Sequence, residues 1–381
     1  MNNKLIDCVK KEFSKEFNSN PLLIFSPGRI NIIGEHTDYN DGFVFPAAVD
    51  KGIVAAFEKS SDTSSKAIAL DLDESFEFEV DSIAPQKEQL WANYILGVID
   101  ELKKKGNHIK NFNLVFSGDI PNGAGMSSSA ALENSVVFGL NELFELGLSK
   151  EEMIFISQKA EHNYVGVQCG IMDQYASMFG LKDQALHLDC RTIKATPFKI
   201  DLGDYQLLLI NTNVKHTLSE SAYNNRREVC EHISSLLKVT ALRDVSELDL
   251  FAIKDKVSDE DFQKALFVIQ ENKRTIEASK AMTNGDLNRL GELIYASHHG
   301  LQHQYQVSCK ELDFLVDATR DKDYLLGARM MGGGFGGCTI NLIKTSEINS
   351  FSHYIKEAYF HKFNIQCSIY DVTLSDGTHQ L

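Results

Sequence analysis

Residues 28–42, GRINIIGEHTDYNDG, concentrate side chains that can hold or transfer protons. An arginine, a glutamate, a histidine, a threonine, two aspartates and a tyrosine fall within this stretch, and three glycines interrupt it. Because glycine, asparagine and aspartate favour turns, the stretch is predicted to be a loop, or a loop that encloses a short helix. The residue types alone leave open what this loop holds.

A second segment, PNGAGMSSSAA at residues 121–131, has the composition of a phosphate-binding turn. Gly123 and Gly125 allow the backbone to approach a ligand closely. A helix predicted to follow would direct its first amides, from Met126 to Ser129, at that ligand. The serine hydroxyls can add hydrogen bonds or an oxygen ligand for Mg²⁺. The segment lacks the GxxxxGK[ST] pattern of a Walker loop, and a turn that only caps a core helix is the alternative.

Two carboxylates flank a glycine-bounded loop further along the chain. Glu161 precedes the loop GVQCG at 166–170, and Asp173 follows it at a predicted helix start. Carboxylates beside a phosphate site can bind a metal or accept a proton. For Asp173 considered alone, helix capping is the simpler interpretation.

A third glycine-rich segment, GGGFGG at 332–337, satisfies the pattern GxGxxG. A strand is predicted after it instead of a helix, which argues against a Rossmann dinucleotide site. Its glycines are expected to allow backbone to pack closely against backbone, or against a ligand, near a domain junction. A tight turn without ligand contact is the alternative.

Two further polar pairs favour surface roles. His299 and His303 lie four positions apart without a visible third metal ligand, so a polar helix surface is the better interpretation. Arg226 and Arg227 are likewise predicted to lie on a solvated helix face.

Charge and composition exclude several classes of function. With 38 basic and 53 acidic residues the chain carries a net charge of −15, which opposes extended contact with nucleic acid or anionic membrane. No apolar run approaches the about 20 residues that span a bilayer. The N-terminal segment has amphipathic helical spacing without the apolar core of a signal peptide, so a cytoplasmic protein is expected. The seven cysteines are scattered without a CxxC pair, and no disulfide framework or zinc site is indicated.

Strand and helix patterns occur in both halves of the chain. Short apolar or alternating strands precede the serine-rich segment, and helices with apolar residues at helical spacing follow it. SKEE at 149–152 has the form of a capping box and predicts a helix that continues to about Tyr164. The second half combines a buried-looking strand, amphipathic helices and a closing strand, helix, strand unit. We predict an α+β fold with two closely joined domains.

The three glycine-containing segments occur together in an order that resembles the signatures of the GHMP small-molecule kinases. Within that superfamily, GRINIIGEHTDYNDG and GIMDQ at 170–174 are similar to the galactokinase family. The resemblance spans nearly the whole chain, with Met126 standing where leucine is usual. It implies a two-domain GHMP architecture with the site in the cleft, an N-terminal domain over residues 1–195 and a C-terminal domain over 196–381.

The resemblance implies transfer of the γ-phosphoryl group of ATP to the anomeric hydroxyl of α-D-galactose. Arg29 would lie between sugar and phosphate, and Asp173 would be the general base. Mg²⁺ would be held by Ser129 and Glu161. The sugar would be bound by Glu35, His36, Thr37, Asp38, Gly170 and Tyr223. The ATP phosphates would be wrapped by Gly123, Ala124, Gly125, Met126, Ser127, Ser128 and Ser129. Galactose and ATP are the expected partners, with no nucleic acid or membrane, and a monomer is expected.

Two alternatives stay open at this point. One is a GHMP kinase for another sugar, such as N-acetylgalactosamine or arabinose. The other is a sensor that binds galactose without turnover, although an intact phosphate loop together with Arg29 and Asp173 has no chemical purpose in a sensor.

Overall fold

The computed structural model describes residues 2–215 and 219–381. It mixes helices and strands in both halves, which confirms the α+β prediction. The strands are β1 (Leu22–Asn31), β2 (Phe43–Val44), β3 (Pro46–Lys59), β4 (Ser65–Ala69), β5 (Glu74–Phe78), β6 (Phe112–Gly118), β7 (Gln184–Asp189), β8 (Lys194–Lys199), β9 (Tyr205–Lys215), β10 (Leu325–Met330), β11 (Gly336–Lys344), β12 (Ser368–Asp371) and β13 (His379–Gln380). The α-helices are α1 (Asn3–Phe17), α2 (Ala92–Lys104), α3 (Ser128–Phe144), α4 (Lys150–Ala160), α5 (Met172–Phe179), α6 (Ser219–Leu237), α7 (Glu247–Phe251), α8 (Asp259–Thr283), α9 (Leu287–His303), α10 (Lys310–Asp317) and α11 (Ile348–Phe363).

The N-terminal half is built on a six-stranded sheet in the order β13-β1-β3-β6-β4-β5. Its pairs are antiparallel except for β4 with β6. Helices α2 to α5 pack on one face, where Val98, Val136 and Ile154 are fully buried. Helix α1 covers the other face with Val9 and Phe13. Both faces of the sheet are therefore buried, which holds β1 and α3 rigidly in place.

A second sheet, in the order β10-β11-β9-β12, forms the C-terminal half. Helices α10 and α11 cover it through buried residues such as Phe351, Ile355 and Tyr359. Helix α8 packs against α9, and α9 packs against β10. A small three-stranded sheet, β2-β7-β8, packs against β3 through β7 and against α8 through β2.

Strand β1 extends further than the sequence predicts. The loop was predicted to begin at Gly28, but β1 continues to Asn31 across a register shift between Pro27 and Arg29. A Cβ atom at Gly28 would lie 2.6 Å from the carbonyl oxygen of Met126, and the Arg29 amide donates to that same oxygen at 3.0 Å. The glycine is used for close packing of β1 against the serine-rich turn, so the predicted loop begins only after Asn31.

The predicted helix start at Ser149 is confirmed. The Ser149 side chain accepts from the Glu152 amide while the Glu152 carboxylate accepts from the Ser149 amide. Helix α4 ends at Ala160, and one π-helical turn, Glu161–Val165, continues it. Such turns are rare and occur often at functional sites, because they shift the register of one side chain.

The C-terminal segment returns to the first sheet. Strand β13 pairs with β1, and the Gly377 and Thr378 amides donate to the carbonyl oxygens of Gly180 and Ser177 after α5 and in its last turn.

The domain division at residue 195 stays a prediction. All seven cysteines are free thiols. No helix in the described part of the chain is both long and apolar enough to cross a bilayer.

Candidate active site

A cleft between the two halves collects most of the residues singled out in the sequence. The loop after β1, the segment 167–173, α6 and the glycine segment before β11 all contribute to it. It is lined by Arg29, Glu35, His36, Asp38, Glu161, Val167, Cys169, Met172, Asp173, Tyr223, Gly332 and Gly333. Four of the six predicted sugar residues, the predicted base and one predicted metal ligand therefore lie in the same cavity, which Thr37 and Gly170 do not line.

Arg29 and Asp173 form a two-point ion pair at the floor of this cleft. The Arg29 Nε and Nη2 atoms donate to Asp173 Oδ1 and Oδ2, both at 2.8 Å. A third Arg29 nitrogen donates to the Gly125 carbonyl oxygen, and the Ser127 hydroxyl donates to Asp173. Asp173 lies in the first turn of α5 without capping it, so the capping interpretation is not supported. This geometry fixes the carboxylate beside the serine-rich turn.

Asp38 lies against the backbone of Gly170. A Cβ atom at Gly170 would lie 1.9 Å from Asp38 Oδ2, so only glycine leaves room for this carboxylate. The Met172 amide donates to the same oxygen at 3.4 Å. Burial and the nearby charge of Asp173 raise the pKa of Asp38 to about 6.

Glu35 is held by a partner that the sequence analysis missed. Arg329 on β10 is fully buried, and its Nη1 donates to Glu35 Oε1 at 3.0 Å. The Gly332 amide donates to the same oxygen at 2.8 Å. Other Arg329 nitrogens donate to the carbonyl oxygens of Asn31 and Ile32 at the end of β1. An arginine inside the apolar strand LLGARM was the available signal, because a buried guanidinium requires an acceptor.

His36 is buried and takes a left-handed backbone conformation, with φ of 62°. Burial and the positive charge of Arg226 lower the pKa of His36 to about 3, so the ring is neutral. Its Nδ1 atom lies 2.8 Å from the Tyr39 hydroxyl. The ring of Tyr223 packs beside it at 5.3 Å between centroids.

Thr37 occupies a different place from its predicted sugar contact. Its side chain is fully buried and is not among the lining residues. The Thr37 hydroxyl lies within hydrogen-bonding distance of the Gly34 and Phe43 carbonyl oxygens, at 2.9 and 2.7 Å. This geometry supports a role in holding the loop after β1 and gives no support to a direct sugar contact.

The serine-rich turn precedes α3 as the sequence predicts. Gly123 and Gly125 have φ of 68° and 71°, in the left-handed region that favours glycine. Ser127 immediately precedes α3 with φ of 57°, and Ala124 and Met126 are buried beneath the turn. The first amides of the helix are thus presented at its positive end.

A second cavity lies between this turn and the glycine segment 332–337. It is lined by Gly123, Gly125, Val214, Met331, Gly333, Gly334, Phe335, Gly336 and Gly337. Gly333 lines both cavities, so the two are neighbours. The glycine segment was predicted to allow backbone to pack closely against backbone. In agreement with this, a Cβ atom added to Gly332 would lie only 3.2 Å from the Gly125 carbonyl oxygen.

Glu161 is part of a buried cluster of polar groups. Gln174 Nε2 donates to Glu161 Oε2 at 3.0 Å and also to Glu133 Oε2 at 3.4 Å. Glu161 is hydrogen-bonded to Ser129, and burial together with the charge of Asp173 raises the pKa of Glu161 to about 7. Glu133 on α3 is fully buried, and its Oε1 atom has no hydrogen-bond partner among the described residues. Glu133 was not predicted as a site residue, although the sequence shows a glutamate on the apolar side of α3.

The interpretation of Arg226 and Arg227 as a solvated face is wrong for Arg226 and holds in part for Arg227, whose side chain is 27% exposed and pairs with Glu231 on the same helix. Arg226 is buried, and its Nε and Nη2 atoms donate to the carbonyl oxygens of Tyr305 and Gln306 at 2.8 and 2.9 Å. Arg227 Nη1 donates to the Gln168 carbonyl oxygen at 3.1 Å. Both guanidinium groups bind backbone brought in from distant segments, which local periodicity cannot reveal.

The prediction for the histidine pair is confirmed. His299 and His303 are exposed on α9, with ring centroids 4.5 Å apart. Within residues 2–215 and 219–381, no cluster of three or more His, Cys, Asp or Glu side chains is arranged to hold a metal ion.

Asp38 should make the stability of the sugar-free protein depend on pH. Its pKa is about 6 in the folded protein against an ordinary value of 3.8, so the folded state keeps the proton longer than the unfolded state. The stability contribution is complete below the ordinary value and is lost as pH rises through the folded value. Between pH 4 and 7 the free energy of unfolding of the wild type should fall. In Asp38→Asn this fall should be smaller by about 1 to 3 kcal/mol, because the titrating carboxyl is absent. Identical pH profiles in urea titrations would contradict this expectation.

Comparison with known proteins places this cleft in a family. Residues 11–59 match the galactokinase galactose-binding signature, 93–181 the GHMP kinases N terminal domain, and 278–361 the GHMP kinases C terminal region. The galactokinase of Thermosipho africanus is 40% identical over 94% of this chain and 100% of its own length. The chain belongs to the galactokinase family. A second relative, the galactokinase of Clostridium acetobutylicum, is 37% identical over 100% of this chain and 99% of its own length.

Solved structures agree with this membership. The crystal structure of Lactococcus lactis galactokinase complexed with galactose matches with a TM-score of 0.94 and 35% identity, over 99% of this chain and 100% of that one. A Methanococcus jannaschii mevalonate kinase matches with a TM-score of 0.67 at 17% identity, over 94% of this chain and 99% of that one. The second likeness shows the shared GHMP fold alone. The two-domain GHMP kinase fold expected from the sequence is thereby confirmed.

Proposed function

We propose that this chain transfers the γ-phosphoryl group of ATP to the anomeric hydroxyl of α-D-galactose, which yields galactose 1-phosphate and ADP. The observation that carries the proposal is the Arg29–Asp173 pair, which lies between the sugar-type cavity and the serine-rich turn. Membership of the galactokinase family over the full chain supports the same reaction.

The cavity beside Asp38 suits a neutral hexose. Glu35 and Asp38 offer carboxylate acceptors, His36 offers a neutral imidazole, and the Tyr223 ring contributes an apolar wall. A sugar presents many hydroxyl donors and no charge, so acceptors at fixed positions distinguish it from analogues that lack a hydroxyl. The absence of a hydroxyl would leave one of these buried groups unpaired.

Asp173 is the proposed general base for the anomeric hydroxyl. Arg29 donates a hydrogen bond to each of its carboxylate oxygens and so fixes its orientation, and Ser127 donates a further hydrogen bond. Arg29 is 4% exposed, so its charge acts with little solvent screening. It also contacts the Gly125 carbonyl oxygen in the serine-rich turn, which supports a role for this cation in stabilising the negative charge that develops during phosphoryl transfer.

The serine-rich turn and its helix are the proposed site for the ATP phosphates. The serine-rich turn leads directly into the N-terminus of α3, and its Gly123 and Gly125 line the second cavity across from the glycine segment, where backbone can approach a phosphate closely. Mg²⁺ requires few protein ligands when phosphates and water complete its shell. Ser129 and Glu161 are already hydrogen-bonded to each other, and Glu133 adds an unpartnered carboxylate oxygen, so this donor set fits a hard divalent cation. The ion would supply charge neutralisation for the phosphates.

The two alternatives from the sequence are not favoured. A sensor requires neither an oriented carboxylate beside the serine-rich turn nor an arginine that joins the two, and the curated relatives are galactokinases over nearly their whole length. A different sugar substrate receives no support from the galactose-binding signature at 11–59. The monomeric state and the cytoplasmic location expected from the sequence remain part of this proposal.

A coupled assay for ADP release across a panel of monosaccharides tests the reaction. Galactose should give the highest kcat/KM, and N-acetylgalactosamine, arabinose and glucose should give much lower values. ATP hydrolysis that does not depend on any sugar, or a preference for another member of the panel, would overturn the proposal. Galactose binding without any release of ADP would restore the sensor.

Asp38→Asn should raise the galactose KM by at least about 10-fold and leave the ATP KM nearly unchanged, because a charge-assisted hydrogen bond contributes roughly 1.5 to 3 kcal/mol. Gly170→Ala is the matched steric variant, since its Cβ atom would displace the Asp38 carboxylate without changing any charge. The two variants should raise the same KM. An equal rise in both KM values would remove Asp38 from the sugar side of the cleft.

A further inference from the structure

Behind His36 lies a chain of hydroxyl groups that the proposed mechanism does not use. The Tyr39 hydroxyl lies 2.8 Å from His36 Nδ1 and 2.7 Å from the Tyr305 hydroxyl. The Tyr305 hydroxyl lies 3.5 Å from the Cys230 sulfur. We call Tyr39, Tyr305 and Cys230 the hydroxyl chain. It leads from the sugar cavity into the core formed by α6, α8 and α9.

Each member of this chain keeps its proton. Burial raises the pKa of both tyrosine hydroxyls well above the ordinary value and raises that of the Cys230 thiol to about 11. The imidazole of His36 is neutral for the reasons given above, so it carries one N–H and one bare nitrogen. If both phenol hydroxyls donate along the chain in the same direction, the hydrogen bonds run in one of two orders, one the reverse of the other.

The two orders differ at the sulfur end. In the first, Cys230 donates to Tyr305, Tyr305 donates to Tyr39, and Tyr39 donates to His36 Nδ1. In the reverse order Nδ1 carries the proton, and the Tyr305 hydroxyl must donate to sulfur, which is a weak acceptor. The first order directs both phenol protons at good acceptors, an imidazole nitrogen and a phenol oxygen, and is the more stable arrangement.

The first order leaves the proton of His36 on Nε2. That nitrogen is buried and makes no hydrogen bond of good geometry within the described residues, although the Gly333 backbone lies near the ring, and His36 lines the sugar cavity. With Nδ1 occupied by Tyr39, Nε2 is the ring atom that remains for a ligand. A buried N–H without a partner is costly, and a ligand oxygen would satisfy it.

We propose that Tyr39 and Tyr305 are positioning residues that hold His36 as the Nε2–H tautomer, so that His36 donates a hydrogen bond to a sugar oxygen. The inference rests on the proposed function for the identity of the ligand. It assigns complementary roles in one pocket, in which Asp38 accepts from a sugar hydroxyl while His36 donates to one. A pocket with a fixed donor and fixed acceptors selects the hydroxyl pattern of a sugar more sharply than acceptors alone.

Nitrogen-15 NMR of the sugar-free protein tests the tautomer directly. The wild type should show His36 with a protonated Nε2 and a bare Nδ1. Tyr39→Phe should convert this signal to a mixture of the two tautomers, and Tyr305→Phe should do so in part. Tyr223→Phe is the matched control, because its ring also packs beside His36 while its hydroxyl lies outside the hydroxyl chain. The double variant Tyr39→Phe/Tyr305→Phe removes both hydroxyls together and guards against misfolding caused by a single unpaired group.

A set of galactose analogues tests the donor role. At the position that faces His36, fluorine accepts a hydrogen bond and donates none, so the deoxyfluoro sugar should bind the wild type about 3- to 10-fold more tightly than the deoxy sugar. Calorimetry without ATP should show that Tyr39→Phe removes this advantage. Any one of three results would overturn the inference. The wild-type His36 could be protonated on Nδ1, the tautomer could stay unchanged in both single variants and the double variant, or the deoxyfluoro sugar could show no advantage at any position. Failure of the wild type to bind galactose would overturn the proposed function and leave the tautomer result unaffected.

Discussion

Replacing Asp173 by asparagine should lower kcat by about 10²- to 10⁴-fold, which corresponds to roughly 3 to 5 kcal/mol of transition-state stabilisation. The amide is nearly isosteric and can still accept one hydrogen bond from Arg29, so the cleft should keep its shape. It cannot accept the proton of the anomeric hydroxyl. Turnover and galactose affinity should be measured on the same preparation, because affinity should survive.

Ser127→Ala separates the base from its support. This variant removes the hydrogen bond from Ser127 but leaves the carboxylate and both contacts with Arg29. The loss of kcat should be smaller than in Asp173→Asn. Asp173→Asn removes the counter-charge of the buried Arg29 and could destabilise the fold. The thermal stability of both variants must therefore be measured as a control. A folded Asp173→Asn variant with undiminished kcat would show that Asp173 is no base.

Truncation of Glu35 should unfold the protein more readily as well as weaken sugar binding. Glu35→Ala leaves the Arg329 guanidinium fully buried without its counter-charge, and breaking such a pair costs about 3 to 5 kcal/mol. The midpoint of guanidinium unfolding should fall at an unchanged m value.

Two control variants make the test of Glu35 specific. Glu35→Gln keeps an acceptor for the Gly332 amide and for Arg329, so it should cost clearly less than the alanine variant. Glu277→Ala breaks an ion pair of similar length with Arg289, but both partners are about half exposed, and the cost should be below about 1 kcal/mol. Equal costs for Glu35→Ala and Glu277→Ala would show that burial of the pair has no energetic consequence.

Local signals predicted a large part of the fold and of the site. The capping box at Ser149, the serine-rich turn before α3 and the start of α5 all depend on residues within one or two helical turns. Such features are set by nearby hydrogen bonds and backbone preferences, which a sequence displays directly. The residues assigned to sugar and metal required the family resemblance, since no local pattern joins Asp38 to Gly170.

The features that were missed depend on contacts between distant parts of the chain. Arg329 meets Glu35 only because β10 packs beside the end of β1, and Arg226 is buried only because the carbonyl groups of 305–306 lie above α6. The extension of β1 past Pro27 depends on the carbonyl group of Met126, which packs on Gly28. Helical or strand periodicity describes one element at a time and contains no information on such partners.

The return of β13 to β1 constrains the order in which the protein can fold during synthesis. Strand β1 carries Arg29 toward the cleft, and part of its outer edge, at Ile24 and Phe25, is covered by Gln380 and His379. A chain growing on the ribosome therefore exposes this open sheet edge until residues 379–380 have been made, and open edges invite pairing with other chains. Termination before residue 379 would leave that edge uncovered while every residue that lines the active-site cleft is already present. The N-terminal half is synthesised early, but its sheet stays incomplete until β13 has been made. Nascent chains should therefore still need chaperones late in translation.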